Sequence, residues 1–425
     1  MLKFQTDERV QDIASGPVTR CQVCGSENLE TVIDLGHQPL SDTLPTIEEL
    51  SLPEPTYPLR QVWCSSCTLS QLDYVVPGEH VFHPEYPYRA GITRELAEYQ
   101  DGMSGELIKA LGLKSDDLVV DIGSNDGTLL SGFKTRGMRA VGVEPTNIAK
   151  IAQDAGIETL QCFFDEKSAR MVRESHGPAR LVTATNVFAH VAALGSFLRG
   201  LDILLGDDGL FVLENHYLVE IMRGGQFDTI YHEHLRSYSL TSLVRLFELH
   251  GYSVLDASQV SRYGGNIRVV VGKGKGRPAS RQVGEILAME RDFGLFDPEC
   301  YARFQARAQK AKMDLLTLAI ECQRKGAPLI GNSCPARSAT LLNYVGIKKD
   351  LMPWIAEQPT SLKLGRHLCG THIPIVDNER LIKEQPECVV LLAWHYARPI
   401  AEQLRARGLR SKFIVPLPEM TVLDV

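Results

Sequence analysis

Hydrophobic and polar positions divide the chain into stretches with different periodicities. Up to about residue 90 the sequence is rich in proline, cysteine and turn residues and shows little sustained pattern. From there, apolar segments such as LVVDIG and RAVGVE alternate with helical segments as far as YGGNIRVVVGK, which ends at Lys273. Strands that alternate with helices predict a parallel sheet covered by helices on both faces.

A second alternating unit follows a linker, GKGKGRP. A long helical stretch over residues 281–324 leads into this unit, whose predicted strands are APLIG, ECVVLLAW and KFIVPLP. We therefore predict an α/β protein with three domains. They are a small N-terminal domain over residues 1–90, a central Rossmann-like domain over residues 91–275 and a C-terminal Rossmann-like α/β domain over residues 276–425.

Composition and charge narrow the class of protein. The chain has 425 residues, of which 44% are hydrophobic, and a net charge of −7. These values are typical of a soluble globular protein and give no reason to expect nucleic acid or a membrane as a partner. The first residues, MLKFQTDERVQD, lack the apolar core of a signal peptide. We expect a cytoplasmic protein and, because no oligomerisation segment is evident, a monomer.

Two Cys-x-x-Cys pairs in the first domain, Cys21/Cys24 and Cys64/Cys67, predict a metal site. Each pair directs two sulfurs at one point, and four thiolates without an open position are typical of structural Zn²⁺. Cysteines in the cytoplasm stay reduced, which favours a metal over disulfides. The residues between the pairs must form an inserted loop or strand. The alternative is two unrelated thiol pairs with a redox function.

The segment LVVDIGSNDGTLL has the form of a strand, a glycine-containing turn and a helix. Gly123 allows a sharp turn, and Gly127 allows close packing of the helix. Asp126 would repel a pyrophosphate but suits a ligand with a sulfonium and an ammonium group. Glu144 ends the next strand, where an acid can accept ribose hydroxyls. The pattern favours S-adenosylmethionine over NAD; the alternative is an ordinary βαβ unit whose glycines serve packing.

Two polar stretches of the central domain contain further candidate site residues. TNVFAHV places Asn186 and His190 just beyond a third strand, at the edge of the sheet where ligands bind. TIYHEHLRSYSL contains His234 beside Glu233, and its spacing excludes the H-E-x-x-H zinc site. A neutral imidazole with an adjacent carboxylate suits proton abstraction, with Tyr231 or Tyr238 as a hydrogen-bond donor to an oxyanion. The alternative is a polar loop that caps the next helix through Ser239 or Thr241.

These motifs, together with GVEPTNIAK, YGGNIRV, TLLNYVGI and GTHIPI, occur in the same order in the S-adenosylmethionine-dependent nucleotide-sugar C-methyltransferases, and nearly the whole chain resembles that family. The resemblance implies an N-terminal zinc-binding domain, a central class I methyltransferase sheet and a C-terminal domain that anchors the nucleotide. It also implies a nucleotide-diphosphate-linked 4-keto-6-deoxyhexose as the substrate, methylated at C-3 through an enolate.

The resemblance also implies roles for individual residues. His234 would be the base, with Glu233 as its partner or as a ligand to the sugar. The other implied residues are Tyr231, His190 and Tyr86 for catalysis, Asp121, Gly123, Asn125, Glu144, Pro145 and Asn186 for the cofactor, and Tyr88, Asn266, Arg337 and His372 for the substrate.

The chain departs from the family pattern in NSCPARSATLLNY, where Arg337 at a helix start remains able to pair with a phosphate. It also departs at Asn215 and His216, where Val-Pro or a similar pair is usual. Two alternative functions stay open. The protein could methylate oxygen or nitrogen of another acceptor, or it could be a non-catalytic zinc- and nucleotide-binding protein.

Overall fold

The computed structural model describes residues 15–82, 89–92 and 94–425, so Tyr86 and Tyr88 lie outside the described residues. The strands of this part of the chain are β1 (Gly16–Pro17), β2 (Leu29–Gln38), β3 (Tyr57–Cys64), β4 (Ser70–Leu72), β5 (Tyr74–Val75), β6 (Leu118–Ile122), β7 (Arg139–Val143), β8 (Glu158–Leu160), β9 (Ala179–Thr185), β10 (Leu205–His216), β11 (Arg236–Ser237), β12 (Tyr252–Val260), β13 (Asn266–Lys273), β14 (Ile330–Asn332), β15 (Ile355–Glu357), β16 (Ile375–Asp377), β17 (Cys388–Leu391), β18 (Lys412–Val415) and β19 (Thr421–Leu423).

The helices lie mainly between these strands. They are α1 (Gly78–Val81), α2 (Arg94–Leu111), α3 (Thr128–Thr135), α4 (Ala149–Asp154), α5 (Glu166–His176), α6 (Leu194–Leu204), α7 (Leu218–Arg223), α8 (Leu240–Leu249), α9 (Arg281–Phe293), α10 (Pro298–Arg324), α11 (Arg337–Val345), α12 (Glu379–Glu384) and α13 (Ala397–Ala406). A search of the described helices finds none with the length and hydropathy of a transmembrane segment.

The central sheet has the strand order β12-β13-β10-β9-β6-β7-β8. The strands from β10 to β8 are parallel, and β13 and β12 add to one edge as antiparallel strands. All five residues of β6 are buried, because helices cover both faces of the sheet. This arrangement confirms the predicted Rossmann-like methyltransferase sheet. The chain leaves β6 in one direction to β7 and β8 and later returns to its other side at β9, which creates a ligand-binding crevice.

The C-terminal sheet has the order β16-β15-β14-β17-β18-β19 and is parallel except for β19. It confirms the second Rossmann-like sheet. The helical stretch predicted over residues 281–324 is confirmed, and it consists of two separate helices, α9 and α10. Gly294 ends α9 with a φ of +91°, and the side chain of Asp297 caps α10, which begins with Pro298. Both residues are typical helix boundaries.

The N-terminal sheet has the order β11-β4-β3-β2. Strands β2 and β3 lie between the two cysteine pairs, which confirms the expected insertion. Its fourth strand, β11, comes from the middle of the chain, because Arg236 and Ser237 pair with Gln71 and Ser70 of β4. The limits predicted for the three domains remain predictions.

Candidate active site at the edge of the central sheet

The four predicted cysteine ligands come together. Cys21 Sγ lies 3.5 Å from Cys67 Sγ, and Cys24 Sγ lies 3.6 Å from Cys64 Sγ. All four sulfurs lie within 4.8 Å of one another. Four thiolates that each bind Zn²⁺ at about 2.3 Å place their sulfurs roughly 3.8 Å apart, so this set fits the ion. The site is closed by its four ligands and is therefore structural.

The glycine turn after β6 has the backbone that the sequence predicted. Gly123 has a φ of +67°, and a Cβ built on it would lie 2.4 Å from Cγ2 of Val187. Gly127 has a φ of +77° and stands at the N-terminus of α3. Glycine is favoured at both positions because L side chains rarely adopt this conformation. The turn opens into the crevice between β6 and β9.

Carboxylates surround this turn. Asp121, at the end of β6, accepts a hydrogen bond of 2.6 Å from Thr183 Oγ1, and burial raises its pKa to about 7. Glu144 Oε2 accepts the backbone N–H of Asn125 at 3.0 Å. Its Oε1 accepts the backbone N–H and the hydroxyl of Thr146. A carboxylate has about four acceptor positions, and these three hydrogen bonds leave roughly one position of Glu144 for a ribose hydroxyl.

Asn125 and Asp126 connect the turn to the segment before α2. The Asn125 side chain accepts the backbone N–H of Ala90 at 2.7 Å, and Asp126 Oδ2 accepts that of Gly91 at 2.9 Å. Pro145 is partly exposed beside Glu144. The chain before α2 therefore lies over the cofactor turn.

Asn186 and Asn266 meet at the carboxyl edge of the sheet. Asn186 has a φ of +54°, and its side-chain oxygen accepts a hydrogen bond of 3.1 Å from Asn266 Nδ2. Asn266 is fully buried and lies opposite His216, the last residue of β10, in the antiparallel pairing. Its contact with the substrate stays a prediction.

An exposed aromatic residue lies on the loop after β8, at the same edge of the sheet. Phe163 is 51% exposed, and its ring lies edge-on to that of Phe82, with the ring centroids 6.4 Å apart. Phe82 in turn lies 5.7 Å from the ring of His190. Phe163 was not among the residues predicted for the site. Its position just after the short strand β8 is the only feature of the sequence that could have indicated it.

His234 has a defined tautomer. Its Nδ1 lies 2.6 Å from the carbonyl oxygen of Thr229. A carbonyl only accepts hydrogen bonds, so Nδ1 carries the proton and Nε2 keeps its lone pair. Burial and two neighbouring histidines, His190 and His216, hold the pKa of His234 well below its usual 6.5. The side chain is thus a neutral imidazole at neutral pH.

Three other rings surround His234. The centroids of His190 and His216 each lie 5.0 Å from that of His234, and the centroid of Tyr231 lies 4.0 Å away. Burial lowers the pKa of His190 to about 4 and that of His216 to about 3. Burial also raises the pKa of Tyr231 well above 10, which keeps its hydroxyl protonated. Together these four residues form the histidine cluster.

Glu233 and His232 point to different neighbours. Glu233 Oε2 lies 4.0 Å from His190 Nδ1, so a carboxylate adjoins the histidine cluster. His232 Nε2 contacts the carbonyl oxygen of Pro58 at 3.2 Å and so lies against the N-terminal sheet. Both residues lie in a turn from Tyr231 to His234. This turn is closed by a hydrogen bond of 2.9 Å from the His234 N–H to the Tyr231 carbonyl oxygen.

The residues after His234 join the core and the next helix. Tyr238 is fully buried and its ring stacks on Phe188 at 5.3 Å, so its predicted role at the oxyanion is wrong. Ser239, one of the two candidate caps, caps α8. Glu290 of α9, which the sequence analysis missed, accepts the backbone N–H groups of Leu240 and Thr241 at the same helix start.

Residues from the C-terminal and N-terminal parts of the chain hold the segment from Asp228 to Ser239. On the C-terminal side, Asp228 Oδ2 accepts a hydrogen bond of 2.7 Å from Trp394 Nε1 and lies 3.3 Å from Arg337 Nε. On the N-terminal side, β11 pairs with β4, and Thr68 Oγ1 lies 2.6 Å from Ser239 Oγ. The zinc-binding region therefore contributes directly to the position of this segment.

Two predicted substrate residues have protein partners. Besides Asp228, Arg337 contacts Gln226 Oε1 at 3.2 Å and His395 Nδ1 at 3.1 Å. His372 Nε2 lies 3.1 Å from Glu54 Oε2, where the C-terminal sheet meets the N-terminal segment. Asp228 lies 109 positions before Arg337 in the sequence, and Glu54 is even farther from His372. Spacing along the chain therefore could not predict either pair.

Known proteins resemble the chain along its whole length. Family models match a zinc binding domain over residues 21–82, a methyltransferase domain over residues 93–257 and a C-methyltransferase C-terminal domain over residues 261–418. The C-methyltransferase NovU of Streptomyces niveus is 34% identical over 423 residues, which cover 98% of this chain and 99% of NovU.

Solved structures match less than half of the chain. An S-adenosylmethionine-dependent methyltransferase of Clostridium acetobutylicum is 12% identical over 42% of this chain and 92% of its own, with a TM-score of 0.34. Magnesium protoporphyrin IX methyltransferase (ChlM) of Synechocystis is 14% identical over 42% of this chain and 79% of its own, with a TM-score of 0.32. By the three family models and its full-length similarity to NovU, the chain belongs to the family of zinc-binding, S-adenosylmethionine-dependent C-methyltransferases.

Proposed function

We propose that the protein methylates C-3 of a nucleotide-diphosphate-linked 4-keto-6-deoxyhexose in the biosynthesis of a branched deoxysugar. The observation that carries this proposal is the state of His234. Its Nδ1–H is bound to a backbone carbonyl, and its other nitrogen keeps a lone pair at neutral pH. Carbon is a poor nucleophile until a neighbouring proton is removed, and a keto group beside it makes that removal feasible. A fixed neutral base is what such an acceptor requires.

In the proposed reaction, His234 Nε2 takes the proton from C-3, the electron pair of the C–H bond forms a C=C bond, and the π pair of the carbonyl moves to the keto oxygen. Bound S-adenosylmethionine would provide an electrophilic methyl group for C-3, with S-adenosylhomocysteine as the leaving group. Glu233, whose carboxylate lies 4.0 Å from His190, stabilises the imidazolium that forms on His234. Tyr231, which stays protonated, donates a hydrogen bond to a sugar oxygen.

We propose that the cofactor lies over the glycine turn. The candidate residues are Asp121, Gly123, Asn125, Glu144, Pro145 and Asn186. The backbone at Gly123 has no room for a Cβ, and the carboxylate of Glu144 suits a ribose. Phe163, exposed after β8, offers a ring face to the adenine. The carboxyl edge of the C-terminal sheet would anchor the nucleotide of the substrate.

A direct test uses the purified protein, S-adenosylmethionine and TDP-, GDP- and CDP-linked 4-keto-6-deoxyhexoses. Mass spectrometry should detect one product heavier by a methylene group, together with S-adenosylhomocysteine. In heavy water without the cofactor, the substrate should gain one deuteron, because the base works alone. The absence of both products with every sugar, while the cofactor binds, would refute the proposal.

The base assignment has its own test. His234→Ala should lower both kcat and the rate of deuterium exchange by at least about 100-fold, because one positioned base contributes about 10²–10⁴ to the rate. The affinity for S-adenosylmethionine should not change. His250→Ala, at the C-terminal end of α8, is the matched control. If the His234→Ala protein loses cofactor binding instead, the segment has a structural role.

A further inference from the structure

His216 is a second imidazole at the mouth of the same crevice. It ends β10, at the carboxyl edge of the central sheet. Its ring centroid lies 5.0 Å from that of His234 and 6.0 Å from that of Tyr263. The family resemblance gives this position no role, because Val-Pro or a similar pair is usual there. In the sequence, His216 stands out only as a departure from the family pattern.

The environment of His216 is that of a residue with a ligand to bind. The ring is partly exposed, although its surroundings lower its pKa to about 3 through burial and the nearby charge of Arg337. A side chain that lies deep in the protein and still contacts solvent belongs to the wall of a cleft. Within the described part of the chain, the His216 ring packs against the rings of His234 and Tyr263, and neither of its nitrogens makes a hydrogen bond to the protein.

A neutral imidazole has one N–H donor and one acceptor nitrogen. At the edge of a sheet where ligands bind, these two groups gain a partner only from solvent or from a ligand. We propose that His216 is a substrate-contacting residue that hydrogen-bonds to an oxygen of the acceptor next to the carbon from which His234 takes the proton.

The geometry of His234 supports this inference, which rests on the proposed function. A base must lie roughly 2.6–3.5 Å from the group that it deprotonates. The reacting carbon therefore lies against the His234 ring, and atoms one bond away from it are within reach of the adjacent His216 ring. In a 4-ketohexose, the carbons on both sides of C-3 can carry an oxygen. His216 would thus select an acceptor that has an oxygen on the carbon next to C-3 that faces the His216 ring.

The experiment compares variants at this position in the full-length, zinc-loaded protein. His216→Phe keeps the ring contacts to His234 and Tyr263 but removes both nitrogens, and His216→Gln restores a donor and an acceptor. His250→Phe is the matched control outside the crevice. We would measure kcat and KM with the sugar that gives the highest wild-type turnover, the affinity for S-adenosylmethionine, and the melting temperature.

We expect kcat/KM to fall about 10- to 100-fold in His216→Phe, because an unmade polar contact in a cleft costs that much. It should recover to within about 3-fold of the wild type in His216→Gln, and cofactor affinity should stay constant in both. If kcat/KM of His216→Phe stays within 2-fold of the wild type, the inference is wrong. Equal losses in the Phe and Gln variants would also refute it, because they would indicate a packing role.

Two further outcomes are distinguishable. If the wild-type protein neither methylates nor exchanges any of the sugars, the proposed function fails and this inference fails with it. If His216→Phe does not fold, His216→Leu replaces it as the variant without nitrogens, and the comparison with His216→Gln decides as before.

Discussion

The first crossover turns of the two Rossmann-like sheets have the same topology and different chemistry. In the central sheet, β6 leads through Gly123 to α3, and Glu144 at the end of the neighbouring strand accepts the N–H of Asn125. In the C-terminal sheet, β14 leads to α11, and Glu357 at the end of β15 accepts the N–H of Cys334 at 2.8 Å. A carboxylate from the next strand thus fixes each turn.

The residues around the two turns then diverge. The central turn has two glycines with positive φ, and its buried Asp126 lies 3.7 Å from Nε of Arg89, an arginine outside the turn. The C-terminal turn contains Pro335 and begins its helix with Arg337, which is paired with the buried Asp228. The arginine of the C-terminal turn is therefore engaged with the segment that contains His234. Topology sets where a turn lies, and the local residues decide what it binds.

The largest expected effect is the loss of the arginine at the C-terminal turn. Arg337→Ala leaves the carboxylate of Asp228, which is fully buried, with Trp394 as a neutral partner. We expect the free energy of unfolding to fall by about 3–5 kcal/mol, because an unpaired buried charge is costly. Urea denaturation at pH 7 measures this change.

Arg398→Ala is the control for this prediction. Arg398 forms an exposed i,i+4 pair with Glu402 in the same C-terminal part of the chain, and its loss should cost less than about 0.5 kcal/mol. Similar losses in the two variants would mean that Arg337 does not support the His234 segment.

The second prediction breaks the central turn. Gly123→Ala places a Cβ 2.4 Å from Val187 at a φ of +67°, and we expect a loss of about 2–4 kcal/mol in unfolding free energy with much weaker cofactor binding. Gly346→Ala, at the end of α11, has a φ of +88° and nothing within 4 Å of its Cβ. It should cost only about 1 kcal/mol, from backbone strain. Equal costs would show that Val187 yields easily.

The third prediction replaces each of the two turn carboxylates, Glu144 and Glu357, by an amide in a separate variant. Glu144→Gln replaces one acceptor oxygen by an NH₂ group that faces backbone N–H donors, so the dissociation constant of S-adenosylmethionine should rise about 10-fold. Glu357→Gln should leave this constant unchanged and raise the KM for the sugar nucleotide. Isothermal titration with the cofactor separates the two variants. A comparable loss of cofactor affinity in Glu357→Gln would contradict the division of labour between the sheets.

The smallest effect concerns pH. Burial lowers the pKa of His216 to about 3, whereas the unfolded value is about 6.5. Between these values the unfolded chain binds more protons, so stability is lost as pH falls below about 6.5 and is fully present above it. His216→Gln should reduce the slope of unfolding free energy against pH by at most about 1.4 kcal/mol per pH unit. An unchanged slope between pH 6.5 and 5 would show that His216 titrates normally.

The sequence alone determined the elements and ligands whose signals are local. Strands of buried residues, glycines that need positive φ, and cysteines in paired turns each depend on neighbours within a few positions, so their pattern is readable along the chain. The two sheets, the zinc site, the cap at Ser239 and the turn at Gly123 all belong to this class.

Only the tertiary structure decided which distant residues complete the site. The pairing of Asp228 with Arg337, the extension of the N-terminal sheet by β11, and the position of His216 beside His234 join parts of the chain that no local rule connects. The physical reason is that buried charges and unpaired strand edges are satisfied by whichever partner folding brings near. That partner is set by how the sheets pack on one another and not by spacing along the chain.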